Sequence, residues 1–590
     1  MKRLRVFFLQ LAICSLATAQ APIHYIVSLA HPEQHLVEIS VELPPGSESR
    51  ELQLPVWNAL YQVRDFAQYM NWTRAENPQH RRLPVTQLNK SRWRIDGARN
   101  GALVEYQMMA DNPGPYGTEL NSRHAFFNLA ELLVYADDLR QSAATVEFRN
   151  VPAGWNIATP LRGKGSVYSA ENYDQLVDSP VEISQLDESD FASHCGKYRV
   201  VLDSGHASDI LPKIRPAIER IVATATSWMG DCPFETYTFI YHFPDGPDGG
   251  GMEHALGTAI DVPFKSLADN FGSFTSVTAH EFFHLWNVKR IRPRSLEPVD
   301  YTQENYTTAL WFSEGVNSTV SDFIRLRAGL LDEKSYLDHL GEEITELEDR
   351  PAHLTQSAEQ SSEDAWLEKY PYYGLKQRSI SYYNKGELIG VLLDLRIREA
   401  TDDRASLREL FRGMNQQYAK QGKFFNDSAG VRQAAESLSH SDLSEFFAKY
   451  VAGVAEIPWD TFFARVGLLV VQATVTDPDT GFDAVRQFDQ PPTVVLVYSG
   501  SAAERAGLAP GDVITEIDKD PVGQNYEKSI ARLVPGQQLR LTIRRDGVQR
   551  QLEWKVGSRA RSVYRLEDLP VVTPQHRARR AKWLFDGKGQ

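Results

Sequence analysis

Two histidines four residues apart, with a glutamate directly after the first, stand near the middle of the chain in Thr278-Ala279-His280-Glu281-Phe282-Phe283-His284-Leu285-Trp286. On a helix, positions four apart project from the same face one turn above the other, so both imidazoles can reach one metal ion. Glu281 then sits beside the open coordination position, where a carboxylate can act as general base on a water molecule. Zinc is the expected ion, because catalytic sites with imidazole and carboxylate donors usually hold it. The flanking Phe282, Phe283, Leu285 and Trp286 predict a buried helix, and buried histidines and carboxylates require partners.

A catalytic zinc site needs a third protein ligand. The stretch Leu310-Trp311-Phe312-Ser313-Glu314-Gly315 supplies a carboxylate in apolar surroundings, 30 positions beyond His284 (314 − 284). A second helix packed on the first can bring Glu314 to the same ion. Upstream, Asp248-Gly249-Gly250-Gly251-Met252-Glu253-His254 places an acid after three glycines. Glycines allow close approach of backbone to a ligand, and the same pattern also describes a plain flexible turn.

These residues must be held by a chain of 590 residues, enough for several domains. A hydrophobic fraction of 42%, a charged fraction of 24% and a net charge of −14 describe a globular protein and argue against a nucleic-acid binder. Lys2, Arg3 and Arg5, the short apolar run 6–17 and Ala17-Thr18-Ala19 read as a secretory signal peptide, 1–19, cleaved after Ala19. The alternative is a lipid anchor on Cys14, against which Ile13 stands where a small residue belongs. Export to the periplasm or medium is therefore expected, with no integral membrane segment after cleavage. Cys195 and Cys232 then remain, either bridged or as two separate thiols.

The region 20–178 alternates apolar and polar residues in short runs, at 24–29, 36–43, 52–57, 103–108 and 145–148, and predicts a β-sandwich-like domain. The region 179–458 is mixed and then mostly helical, with the metal helix over 276–289, the next helix over 307–328, another over 387–400 and further helices at 404–420, 429–438 and 442–451. The region 459–556 returns to short strands, and 557–590 reads as a polar, basic tail in which Arg577, Arg579, Arg580 and Lys582 form a solvated helix face or a loose end. The fold class is thus multidomain α+β.

The run from His280 through Asn287-Val288-Lys289-Arg290-Ile291-Arg292-Pro293, followed by Leu310 to Gly315, resembles the glycyl aminopeptidase family, zinc peptidases with a C-terminal PDZ domain. Separately, Ala506-Gly507-Leu508-Ala509-Pro510-Gly511-Asp512-Val513-Ile514 resembles bacterial PDZ domains. The resemblance implies a thermolysin-like catalytic domain, His280, His284 and Glu314 as ligands of one zinc ion, and Glu281 as base. It is similar at Gly250-Gly251-Met252-Glu253-His254 to the motif whose glutamate holds a substrate's free α-amino group in the aminopeptidase N family. Tyr383 matches the tyrosine that donates to the oxyanion, with its neighbour Tyr382 as the alternative. One departure lies at Trp57-Asn58-Ala59-Leu60-Tyr61, where family members usually carry Trp-x-Pro-Gly-x-Tyr.

The function expected is a zinc aminopeptidase acting on peptides, with the small N-terminal residues glycine and alanine implied by the resemblance. Two alternatives stay open: an endopeptidase whose PDZ domain captures exported proteins, and a non-catalytic binding protein in which the PDZ domain and its peptide ligand do the work.

Overall fold

Alternation builds the N-terminal third. In Leu36–Leu43 every second residue, Val37, Ile39 and Val41, is buried, while Glu38 and Glu42 face out. The strand pairs antiparallel with Ile23–His31 on one side and Ala102–Met109 on the other. These three belong to an eight-stranded sheet that shares one apolar core with a five-stranded and a four-stranded sheet. The computed structural model describes residues 22–193, 195–203, 207–246, 249–485, 491–522 and 526–587. The signal-peptide reading of 1–19 lies outside them, as does Asp248 of the glycine-rich motif.

The β-rich region reaches further than 178, because Val181–Ser184 pairs with His124–Phe127 and with Asn156–Ala158. Next comes a five-stranded mixed sheet, in which Lys197–Leu202, Thr236–His242 and Gly257–Asp261 run parallel and Gly250–His254 forms an antiparallel edge. The helix Ala207–Met229 packs on the metal helix, and the helices that follow complete a second large core. Cys195 and Cys232 are joined as a disulfide.

The PDZ-like sheet has its own core, from Phe482 to Val556. The stretch before it belongs elsewhere: Trp459, Phe463 and Leu468 are part of the helical core, and the long strand Leu468–Asp479 pairs with Gly557–Asp568 in a separate ribbon. The tail is likewise not loose. Its helix Pro574–Phe585 buries Trp583 and Leu584 completely in the helical core, and Arg580 bonds the Val466 and Gly467 carbonyls. The basic composition concealed this, since two apolar residues suffice to dock a helix whose remaining face is charged. Among the described residues no helix is long and apolar enough to cross a membrane.

Candidate active site

The metal helix is Phe271–Phe283, beginning earlier and ending sooner than the pattern predicts. Asn270 caps its N-terminus through the Ser273 amide, a cap the apolar pattern did not reveal. His284 is its C-cap residue, and the chain leaves the helix well before Pro293. The Nδ1 of His284 faces the Asn287 carbonyl at 2.8 Å, and since a carbonyl only accepts, this nitrogen carries the proton. The Nε2 is thereby left with a lone pair directed into the site, the orientation a metal ligand needs. Val288, next in the chain, has φ 102, a left-handed conformation that costs a β-branched residue strain.

Glu314 arrives on a π-helical turn, Trp311–Val316, which runs into the helix Asn317–Arg327. Such wide turns recur where a helix must re-aim a functional side chain. Two amides lock this turn to the metal helix: Asn287 Nδ2 donates to the Phe312 carbonyl at 3.0 Å, and Asn317 Nδ2 donates to the His280 carbonyl at 2.9 Å. Gly315 and Gly386 allow the turn to touch the helix Tyr382–Ala400, since a Cβ on Gly386 would lie 3.0 Å from the Gly315 Cα. That helix starts five residues before the 387 expected, because Ser381 caps it through the amides of Tyr383 and Asn384.

The result is a three-donor cluster. His280 Nε2 lies 3.3 Å and His284 Nε2 3.2 Å from Glu314 Oε2. Donors about 2.0–2.1 Å from one tetrahedral ion are separated by about 3.3 Å, so the residues fit a zinc-sized cation. Ser318 Oγ lies 3.3 Å from the other nitrogen of His280. Burial opposes ionisation of Glu314, but the attraction of His284 and His280 outweighs it and holds the carboxyl well below its usual range. Burial likewise disfavours a charged His284, yet Glu314 raises its imidazole to about 10.

Glu281 is buried against the backbone of Gly251, and its Oε2 has no hydrogen-bond partner among the described residues. Burial, together with Glu253 and Glu314 and against His284, pushes its carboxyl up to about 8. A divalent cation beside it opposes that rise. The glycine-rich stretch is not a turn but the edge strand Gly250–His254, with Glu253 facing the same cleft. Tyr383, 39% exposed, lines that cleft with its ring 6.2 Å from that of His280, whereas Tyr382 is buried behind it.

The cleft has a volume of about 810 Å³. Sequence reasoning missed Tyr116, which the N-terminal domain inserts over the edge strand; a Cβ on Gly250 would lie 2.6 Å from its hydroxyl. Arg64 donates to the Tyr116 carbonyl at 2.6 Å and fixes it. The only sequence signal was an aromatic set between glycines in Pro113-Gly114-Pro115-Tyr116-Gly117. The departing turn does border the cleft: Leu60 and Tyr61 have φ 61 and 47, and Trp57, Tyr61 and Trp366 form an aromatic wall with ring separations of 5.2–6.2 Å. Lys289 reaches in, paired with Asp178 at 2.8 Å.

Comparison with known proteins matches residues 24–185 to the peptidase M61 N-terminal domain, 273–389 to M61 glycyl aminopeptidase and 493–545 to a PDZ domain. No curated relative matches the chain. Among solved structures, an aminopeptidase N family protein from Idiomarina loihiensis is 27% identical with a TM-score of 0.82, over 95% of this chain and 100% of that one. An M1 zinc metallopeptidase from Deinococcus radiodurans, a mutant bound to a Tyr-Ser-Ala substrate, is 12% identical with a TM-score of 0.46, over 74% and 94%. Yeast LTA4 hydrolase in complex with bestatin is 13% identical with a TM-score of 0.43, over 75% and 67%.

Proposed function

We propose that this chain, a metallopeptidase built from M61 domains and a PDZ domain, is an aminopeptidase that binds one zinc ion through His280, His284 and Glu314. When bound, zinc supplies Lewis acidity, polarising the scissile carbonyl and acidifying water. Glu281, buried and lacking a partner for Oε2, takes the proton of the attacking water and delivers it to the leaving amine. Tyr383 donates to the oxyanion as charge develops on it. Glu253 pairs with the substrate's α-ammonium, and its place on the edge strand of the same cleft carries the exopeptidase reading.

We read the middle domain as thermolysin-like, with its mixed sheet edge bordering the cleft and its helices bearing the donors. The catalytic unit takes in the 557–587 segment, and the PDZ unit is confined to about 480–556. Trp57 and Tyr61 line the cleft, with Trp366 packed edge-on against them, and support small N-terminal residues, glycine or alanine. The protein acts on peptides after export, and its PDZ groove takes a peptide segment.

The test is a panel of free and N-acetylated glycyl, alanyl and leucyl chromogenic substrates, run on the wild type and on Glu253→Ala. Free glycyl and alanyl substrates should be cut and acetylated ones spared, with kcat/KM falling about 100-fold or more in Glu253→Ala. Equal turnover of acetylated substrates would leave the endopeptidase reading in its place.

A further inference from the structure

A second cluster of metal-binding side chains lies outside the cleft lining, where the N-terminal domain docks on the catalytic sheet. His124 and Glu182 come from neighbouring antiparallel strands in which Phe126 pairs with Glu182 and His124 with Ser184, so all four face one way. That face meets the mixed sheet through an apolar patch that includes Phe126, Val201 and Ile240. His242, two residues beyond Ile240 on the same strand face, projects into the end of this interface. Its ring lies 4.9 Å from Phe126 and 5.7 Å from His124.

The donor separations are similar to those of the first cluster, although here the two imidazoles face different oxygens of the one carboxylate. His242 Nε2 lies 3.2 Å from Glu182 Oε2, and His124 Nδ1 lies 3.5 Å from Glu182 Oε1. These separations bracket the tetrahedral edge of about 3.3 Å expected around a zinc-sized ion. All three ligand atoms fall within 4.8 Å of one another. The outer nitrogens are also held as metal-bound imidazoles usually are, against carboxylates: His242 Nδ1 lies 2.9 Å from Asp261, and His124 Nε2 lies 3.4 Å from Glu119.

The protein atoms alone leave this cluster incomplete. Glu182 is fully buried, yet its Oε1 and His124 Nδ1 face each other only at a long 3.5 Å, and the Ser184 hydroxyl has no hydrogen-bond partner among the described residues. Buried polar atoms in a native protein are rarely left in this state. A cavity of about 310 Å³ adjoins the cluster, lined by Glu119, His124, Asp203, His242 and Asp261. The carboxylates of Glu119, Asp203, Asp245 and Asp261 and the guanidinium of Arg123 line it beside the two imidazoles.

We propose that His124, Glu182 and His242 form a second site for a divalent ion of the zinc class. Two imidazoles and one carboxylate select such an ion over calcium or magnesium, which favour all-oxygen shells. Its ligands come from both domains, so the ion clamps the N-terminal sheet to the catalytic sheet. The clamp lies close to the exopeptidase edge, because Asp261 pairs in register with Gly250 of the strand that carries Glu253.

The test uses cobalt(II) as probe on the chelator-stripped full-length chain. Ligand-field absorption and elemental analysis after desalting count bound ions in the wild type, in Glu182→Gln, in His280→Ala/His284→Ala and in that double variant with His242→Ala added. The wild type should bind two equivalents and Glu182→Gln one. The His280/His284 variant should retain one, which His242→Ala removes. A wild type whose one equivalent is kept by Glu182→Gln, or two equivalents that survive Glu182→Gln, overturns the proposal and leaves imidazolium–carboxylate pairs only. The first site is read out separately, since its failure leaves the ion held by Glu182 in place.

Discussion

Gly251→Ala isolates the positioning of Glu281 from every other part of the site. A Cβ at position 251 would fall inside van der Waals contact of Glu281 Cγ, Cδ and Oε1. Gly251 is not in the left-handed region, so alanine is tolerated by the backbone and only the side-chain clash must be relieved. Restoring ordinary carbon–carbon separation requires the carboxylate to retreat by about 1 Å. A displacement of that size at a reacting group costs on the order of 100-fold in rate, about 2.7 kcal/mol in the barrier. His280, His284 and Glu314 are untouched, so metal content should equal that of the wild type. The assay is steady-state turnover of an alanyl chromogenic substrate, with zinc measured by elemental analysis and Tm by calorimetry. The loss should fall on kcat, and Gly251→Ala should add little to Glu281→Gln, because both disable the same group. A variant with full metal whose kcat stays within about threefold of wild type would refute the placement of Glu281 as base.

Three further outcomes follow from the same geometry. Tyr383→Phe should lower kcat about 10- to 1,000-fold with little change in KM, while Tyr382→Phe, whose ring is buried behind it, should leave kcat within a few-fold. Chelation should abolish activity and lower Tm; zinc should restore both, stabilising the chain by about 4 kcal/mol at free zinc a thousandfold above Kd. Burial raises the Glu131 carboxyl from 4.5 to about 7, against the pull of Arg64 3.2 Å away. The folded pKa exceeds the unfolded one, so this group's stabilisation is complete below pH 4.5 and is lost as pH rises through 7, at most about 3 kcal/mol. Glu131→Gln should flatten that part of the urea-unfolding profile between pH 5 and 8; an unchanged slope would assign it to other groups.

How much of this was legible depended on how far apart in the chain the cooperating residues lie. His280, Glu281 and His284 sit within one helical turn, so their shared face followed from the helix period. Glu314 could be anticipated because a carboxylate among Leu310, Trp311 and Phe312 needs a buried partner. The π-turn that aims it left no trace in the pattern. Gly250-Gly251 read as a turn because glycine has no side chain to show strand alternation, yet Gly251 lies in an edge strand at the point where Glu281 presses on it. Tyr116 was invisible for a different reason: it reaches the cleft from another domain, and no local rule couples residue 116 to residue 281.

The same reasoning explains why the two metal clusters differ in visibility although they share one donor chemistry. The first draws two ligands from one helix and leaves a motif; the second draws His124, Glu182 and His242 from three strands spread over two domains and leaves none. Both place a buried carboxylate about 3.3 Å from imidazole nitrogens whose far sides are held by an acceptor or hydroxyl. Their surroundings set their tasks apart. Around the first, Glu281 and Tyr383, the proposed base and oxyanion donor, line an open cleft. Around the second, among the described residues, stand further carboxylates, Arg123 and an inter-sheet apolar patch. The proposed ion there would hold sheets together, and the strand it would steady through Asp261 is the one on which the proposed recognition of a free N-terminus depends.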